Sequence, residues 1–126
     1  MEISENKNKT DVSSAYKYIV EQSANITHCK ADGNYTWIHF INHEPLYVSK
    51  RLNVLLNLLN MTNFFRCHKS YLVNINHIKE IYNDSSNLML LRDGKKINVA
   101  FRKLKELKFK LEGNFVTASN YMSMNN

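Results

Sequence analysis

Two turn signatures, Asp32-Gly33-Asn34 and Asp93-Gly94, each stand between short runs of β-branched, aromatic and aliphatic residues. Glycine beside Asp or Asn adopts positive φ at little cost, so such a sequence reverses the chain and pairs its flanking runs as antiparallel strands. The run after the first turn, Tyr35-Thr36-Trp37-Ile38-His39-Phe40-Ile41, is the strongest strand signal in the chain. The run before it, Ile26 to Ala31, supplies a partner strand. Asn42-His43-Glu44-Pro45 then loops back to Leu46-Tyr47-Val48, and Pro45 suits a turn or the first residue of an edge strand. Around the second signature, Leu88 to Leu91 and Lys96 to Val99 form a further hairpin, preceded by a strand over Ile78 to Tyr82 and a turn over Asn83 to Ser86. Ala15 to Val20 reads as one more short strand. A chain built this way is mostly β.

Helical periodicity occurs twice. Leu52, Leu55, Leu56 and Leu59 fall at i, i+3, i+4 and i+7 behind Ser49, a suitable N-cap, and form a core stripe too short for a zipper. Leu104, Leu107 and Leu111 share a second helical face with lysines opposite, and Gly113 is placed to end that helix. The first 14 residues are polar, rich in Lys and Asn and without apolar period, so little offsets their ordering entropy. The resulting division is a disordered N-terminal tail over 1–14, one domain over 15–112 and a C-terminal tail over 113–126.

Seventeen Lys and Arg against 11 Asp and Glu leave a net charge of +6, which allows nucleic acid, an anionic membrane surface or an acidic protein as partner. The two cysteines are too few for a disulfide framework, and Met1 to Asn6 lacks the apolar segment of a signal peptide. A reducing cytoplasm is the expected location. No uncharged run approaches the roughly 18 residues of a membrane span, so no membrane-spanning segment is expected.

The stretch Phe64-Phe65-Arg66-Cys67-His68-Lys69-Ser70-Tyr71-Leu72-Val73-Asn74 sets a basic, polar group against an apolar alternation. It reads as a surface tip mounted on a buried strand, with Arg66, His68, Lys69 and Ser70 outward and Tyr71, Val73 and Ile75 anchoring one sheet face. Cys67 is then a small buried residue between functional neighbours. His68 has an alternative as a satisfied residue beside the core, and Arg66 as a brace holding the tip through backbone carbonyls. Tyr35, Trp37 and Tyr47 read as sheet-face packing rather than base-stacking platforms, and Lys95 and Lys96 as solvated charge.

Laid out in this order, the residues resemble the LytTR family of bacterial DNA-binding domains, in a free-standing form without a receiver domain. Ala31-Asp32-Gly33-Asn34-Tyr35-Thr36 is similar to the family's A-x-G-N-Y-T, and Val48-Ser49-Lys50-Arg51-Leu52 to its V-x-x-x-L. The run Phe65 to Asn74 resembles F-x-R-x-H-[KR]-S-[YF]-[LV]-[VI]-N, and Asp93-Gly94 through Arg102-Lys103 the terminal D-G-…-V-S-x-R. Together they span about Tyr18 to Leu111. The resemblance implies an elongated multi-stranded antiparallel β fold with two short helices, whose loops contact the major grooves of double-stranded DNA, with paired repeats and a homodimer on DNA among the expected arrangements. The expected partner is thus nucleic acid, with no membrane among the partners. It implies transcriptional regulation, and DNA contacts at Asn34, Tyr35, Arg66, His68, Lys69, Ser70, Arg102 and Lys103. These side chains suit that work, since Arg can donate twice to guanine, Asn can pair with adenine, and Lys, Ser and His can hold phosphates. One departure stands out: Ala100-Phe101 precede Arg102 where the family has Ser, and Ala is a poorer cap by roughly 1 kcal/mol.

No cofactor or metal is expected. Two cysteines and two histidines could fill a tetrahedron, but neighbours such as His28-Cys29 or Cys67-His68 point to opposite faces of a strand. No nucleophile-base-acid set or Gly-rich phosphate loop is present, so an enzyme is not expected. The alternatives to duplex binding are an RNA-binding module, which would use aromatics on the sheet face, and a protein-interaction module or antagonist of a related LytTR regulator, which would use the apolar sheet edge.

Overall fold

The computed structural model describes residues 9–59, 63–82 and 84–114. Eight strands form two antiparallel sheets. The first sheet contains β1 (Ile26–Asp32), β2 (Tyr35–Phe40), β3 (Leu46–Val48), β4 (Phe64–His68) and β5 (Tyr71–Asn74), in the order β3-β2-β1-β5-β4. The second contains β6 (Ile78–Ile81), β7 (Leu88–Leu91) and β8 (Lys96–Asn98) in sequential order. Three α-helices, α1 (Lys9–Glu21), α2 (Leu52–Leu58) and α3 (Phe101–Asn114), and two single-turn 3-10 helices, Ser23–Asn25 and Ile75–His77, complete the described chain.

Both turn signatures make the expected hairpins. Asp32 pairs with Tyr35 across Gly33-Asn34, and Gly33 takes φ +62° at the first turn position. Leu90 pairs with Lys96, and Gly94 takes φ +92° in the intervening loop. The β4–β5 hairpin carries a bulge between Phe65 and His68, so its register slips by one residue just before the tip.

Side-chain alternation on the five-stranded sheet feeds two separate cores. On one face Ile26, Cys29, Ile38, Phe40, Leu46, Val48, Phe64 and Leu72 pack against Ile19 of α1 and the α2 leucines. On the other, Phe65, Cys67, Val73 and Ile75 meet the three-stranded sheet together with Leu107 and Leu111 of α3. Neighbours Phe64 and Phe65 therefore serve opposite cores, and β4–β5 is the wall between them. Buried Asn74 closes that wall: its Nδ2 donates to the Ile26 carbonyl at 2.9 Å and its Oδ1 accepts from the Asn76 N–H at 3.0 Å.

Five expectations are corrected. Ala15 to Val20 is helical rather than a strand, because Ala15 and Ile19, four residues apart, are both buried on one face of α1. That makes three α-helices rather than two. The expected disordered tail over 1–14 lies outside the described residues up to residue 8, and from Lys9 onward the chain is helical. Ser49 does not cap α2: Arg51 occupies the N-cap position and makes no side-chain cap bond. Gly113 does not stop α3, which continues to Asn114, since one glycine in a last turn costs only about 1 kcal/mol. Residues 115–126 of the expected C-terminal tail lie outside the described residues.

Candidate nucleic-acid interface

The β4–β5 tip is braced from within. Arg66 Nε donates to the His68 carbonyl at 3.1 Å and its Nη2 to the Lys69 carbonyl at 2.6 Å, so the guanidinium spans the turn it belongs to. The fold thus uses Arg66 as a brace of the tip, the alternative weighed from sequence. That brace occupies two of five N–H donors and leaves three on the terminal nitrogens. The Ser70 N–H donates to His68 Nδ1 at 3.0 Å, which places the ring proton of a neutral His68 on Nε2. The Ser70 carbonyl accepts from the Ala31 N–H at 2.9 Å and ties the tip to β1. Beneath it Cys67 is fully buried, and burial pushes its thiol up to about 12, far from thiolate chemistry at neutral pH.

Helix α3 starts against the same strand. The Ala100 N–H donates to the Cys67 carbonyl at 2.8 Å, and the Lys103 N–H to the Ala100 carbonyl at 2.8 Å. A backbone anchor on β4 thus fixes the helix start at a position whose side chain offers no cap. It sets Arg102 and Lys103 beside the tip: Arg66, His68, Lys69, Ala100, Arg102, Lys103 and Glu106 line one groove of about 640 Å³. Lys103 and Glu106 form an exposed pair at 3.6 Å, a weak contact that leaves the groove cationic.

A second groove, about 520 Å³, adjoins the first through Arg66 and Lys69 and is lined on its far side by Gly33, Asn34 and Arg51. Arg51 donates from Nε to Asn34 Oδ1 at 3.0 Å and again from Nη2 to the same oxygen. Arg51 was not among the site residues read from the sequence. Its signal was present in Val48-Ser49-Lys50-Arg51-Leu52, where a basic pair sits immediately before a helix, but only the tertiary fold brings it to Asn34.

Six of the eight sequence-derived residues therefore meet on a continuous concave surface: Asn34, Arg66, His68, Lys69, Arg102 and Lys103. Ser70 lies at the same tip, though its backbone is engaged in holding it. Tyr35 lines neither groove. Its ring stacks on Tyr47 at 5.0 Å and 6°, and Trp37 tilts against Tyr47 at 4.4 Å, the sheet-face packing expected of these aromatics. Tyr47 also donates to Asp32 at 2.9 Å, and that bond raises its phenol above the usual range.

Among the described residues, no group of three or more His, Cys, Asp and Glu side chains is arranged to hold a metal ion, and no helix is long and apolar enough to cross a membrane.

Comparison with known proteins bears on this surface. The family model described as LytTr DNA-binding domain matches residues 16–112. Over 75 residues, 58% of the chain, the sequence is 35% identical to the transcriptional regulatory protein LytR of Staphylococcus aureus strains N315, NCTC 8325 and USA300. The match spans 30% of those relatives' length. A solved LytTr DNA-binding domain from Bacillus cereus superposes with a TM-score of 0.63 at 26% identity, over 73% of this chain and 84% of that one.

Proposed function

This chain belongs to the LytTr DNA-binding domain family, and from that premise we propose that it binds double-stranded DNA sequence-specifically in the cytoplasm as a transcriptional regulator. The observation that carries the reading is the convergence of five cationic side chains from separate elements on one concave surface. Arg51 precedes α2, Arg66 and Lys69 belong to the β4–β5 hairpin, and Arg102 and Lys103 open α3. A duplex presents phosphates along a curved ridge, and a basic concavity with a protruding tip is shaped to receive it.

In this reading the β4–β5 tip and the Gly33-Asn34 turn enter major grooves. His68 Nε2–H points a donor outward because Nδ1 is held by Ser70. Arg66 reaches guanine or phosphate end-on with its remaining N–H groups. Asn34 needs its Oδ1 to accept from adenine, and Arg51 already donates twice to that oxygen, so adenine readout requires Arg51 to swing to a phosphate. Lys69, Arg102 and Lys103 neutralise backbone charge, and Ser70 and Tyr35 flank the contact. Two copies on repeats about one helical turn apart would read one face of the duplex. The family is described by DNA binding, and no reaction of its own is proposed for the chain.

Salt dependence tests the mechanism. With roughly six phosphates contacted, log affinity falls against log salt with a slope near −5. Arg66→Ala or His68→Ala weakens binding to a selected duplex by about 1–3 kcal/mol and narrows the gap between that duplex and a scrambled one. Affinity independent of salt, or unchanged discrimination in both variants, would overturn the reading. Retained capture of a related regulator by such tip variants, without duplex binding by the wild type, would favour the protein-interaction alternative.

A further inference from the structure

We propose that the outward face of α3 is a docking surface for an acidic amphipathic helix of a partner protein, a role beyond DNA binding. Phe101 is 76% exposed and Phe109 75%, while the other exposed large hydrophobics of the described chain reach at most 44%. The helix has already buried one apolar side, through Leu107 and Leu111 with Leu104 packed beside them. The two phenylalanines are eight residues apart, about 12 Å along the axis and about 80° around it. Between them lies an open groove of about 650 Å³.

Charge selects the occupant. Arg102, Lys105 and Lys108 line this groove against a single acid, Glu112. In an antiparallel pair of α3 helices that sets Phe101 on Phe109, Lys105 would meet its own copy and Arg102 would meet Lys108. A parallel pair stacks each cation on itself, so charge opposes a second copy of the chain. Phosphates would satisfy the lysines but leave both rings in water. A helix lying in a bilayer surface presents a broad apolar face, and the broad face of α3 is spent on the core. What remains complementary is a helix with apolar residues spaced i, i+3 or i+4 to cover the rings, flanked by Asp or Glu toward the cations. The surface shares only Arg102 with the two basic grooves.

The test pans a phage-displayed library of helical 20-residue peptides on the wild-type chain, subtracting binders to F101S/F109S, whose fold is checked by circular dichroism. The expected result is enrichment of apolar pairs at helical spacing flanked by Asp or Glu. A synthetic copy of the top peptide should then bind at least tenfold more weakly to F101S/F109S and also to K105E/K108E, which keeps both rings. Duplex affinity of F101S/F109S should stay within twofold of wild type. The proposal is overturned by no enrichment, by enrichment of basic or uncharged peptides, or by equal binding to wild type and variants. Co-sedimentation with phosphatidylglycerol vesicles lost in F101S/F109S would assign the face to a bilayer instead, and a concentration-dependent dimer abolished by those substitutions would assign it to a second copy.

Discussion

At the residue scale, single side chains combine support and contact. Arg66 braces the tip it belongs to, and Arg51 holds the oxygen that Asn34 would offer a base. Replacing Arg51 by Ala should reduce the magnitude of the salt slope by about one and leave Asn34 free to reorient; titration of duplex binding across salt concentrations measures the change. His28 illustrates a different constraint. Thr27 Oγ1 donates to the His39 carbonyl and bonds His28 Nδ1 at 2.9 Å, leaving Nε2 buried without a hydrogen-bond partner among the described residues. Burial, then the stacked His39 ring, pushes His28 from 6.5 down to about 3. The unfolded chain then binds more protons than the folded one between those values, so stability falls as pH drops from about 6.5 toward about 3, by at most about 1.4 kcal/mol per pH unit from this group. Urea unfolding between pH 7 and 5 should show the decline, and His28→Phe should flatten it. An equal slope in both proteins would rule out His28 as the source.

At the element scale, hairpin turns and one backbone anchor position the site. Gly94 sits at φ +92° with open space where a Cβ would be, so Gly94→Ala meets no clash and reports backbone strain alone. We expect a loss of about 1–2 kcal/mol in denaturant unfolding with an unchanged m-value. The elements also reveal what was legible. The two hairpins and the leucine stripe of α2 were readable because their periods and turn residues act locally. Ala15 to Val20 carries strand-favouring Tyr16, Tyr18, Ile19 and Val20 in a run too short to fix its period, and the burial of Ala15 and Ile19, with Ile19 in the core, decides for helix. The expected caps at Ser49 and Gly113 failed for other reasons: α2 begins later than Ser49 would set it, with Arg51 at its N-cap, and one glycine costs too little to end α3.

For the whole molecule, two cores share the β4–β5 wall, and loosening either should release the other. Leu55 is fully buried in one and Leu107 in the other. Each Leu→Ala should cost about 2–5 kcal/mol. The double variant should sum to within about 0.5 kcal/mol and still unfold in one transition by both Trp37 fluorescence and circular dichroism. Two separated transitions would mean the layers fold independently. The shared wall also carries the β4–β5 tip, with α1 and α2 on one side and the second sheet together with α3 on the other.

By itself the sequence determined the local alphabet of this protein: antiparallel hairpins, two leucine-faced helices, a basic tip at Arg66 to Ser70 and the resemblance those motifs carry. Such features depend on residues within a few positions of each other, and turn chemistry and apolar period report them directly. Only the tertiary structure decided that Lys9–Glu21 is helical, that Arg51 joins Asn34 from 17 residues away, that Arg102 lies beside Arg66, and that Phe101 and Phe109 face water. Those outcomes follow from which surfaces the two cores left over, a sum of packing across the whole chain that no local pattern contains.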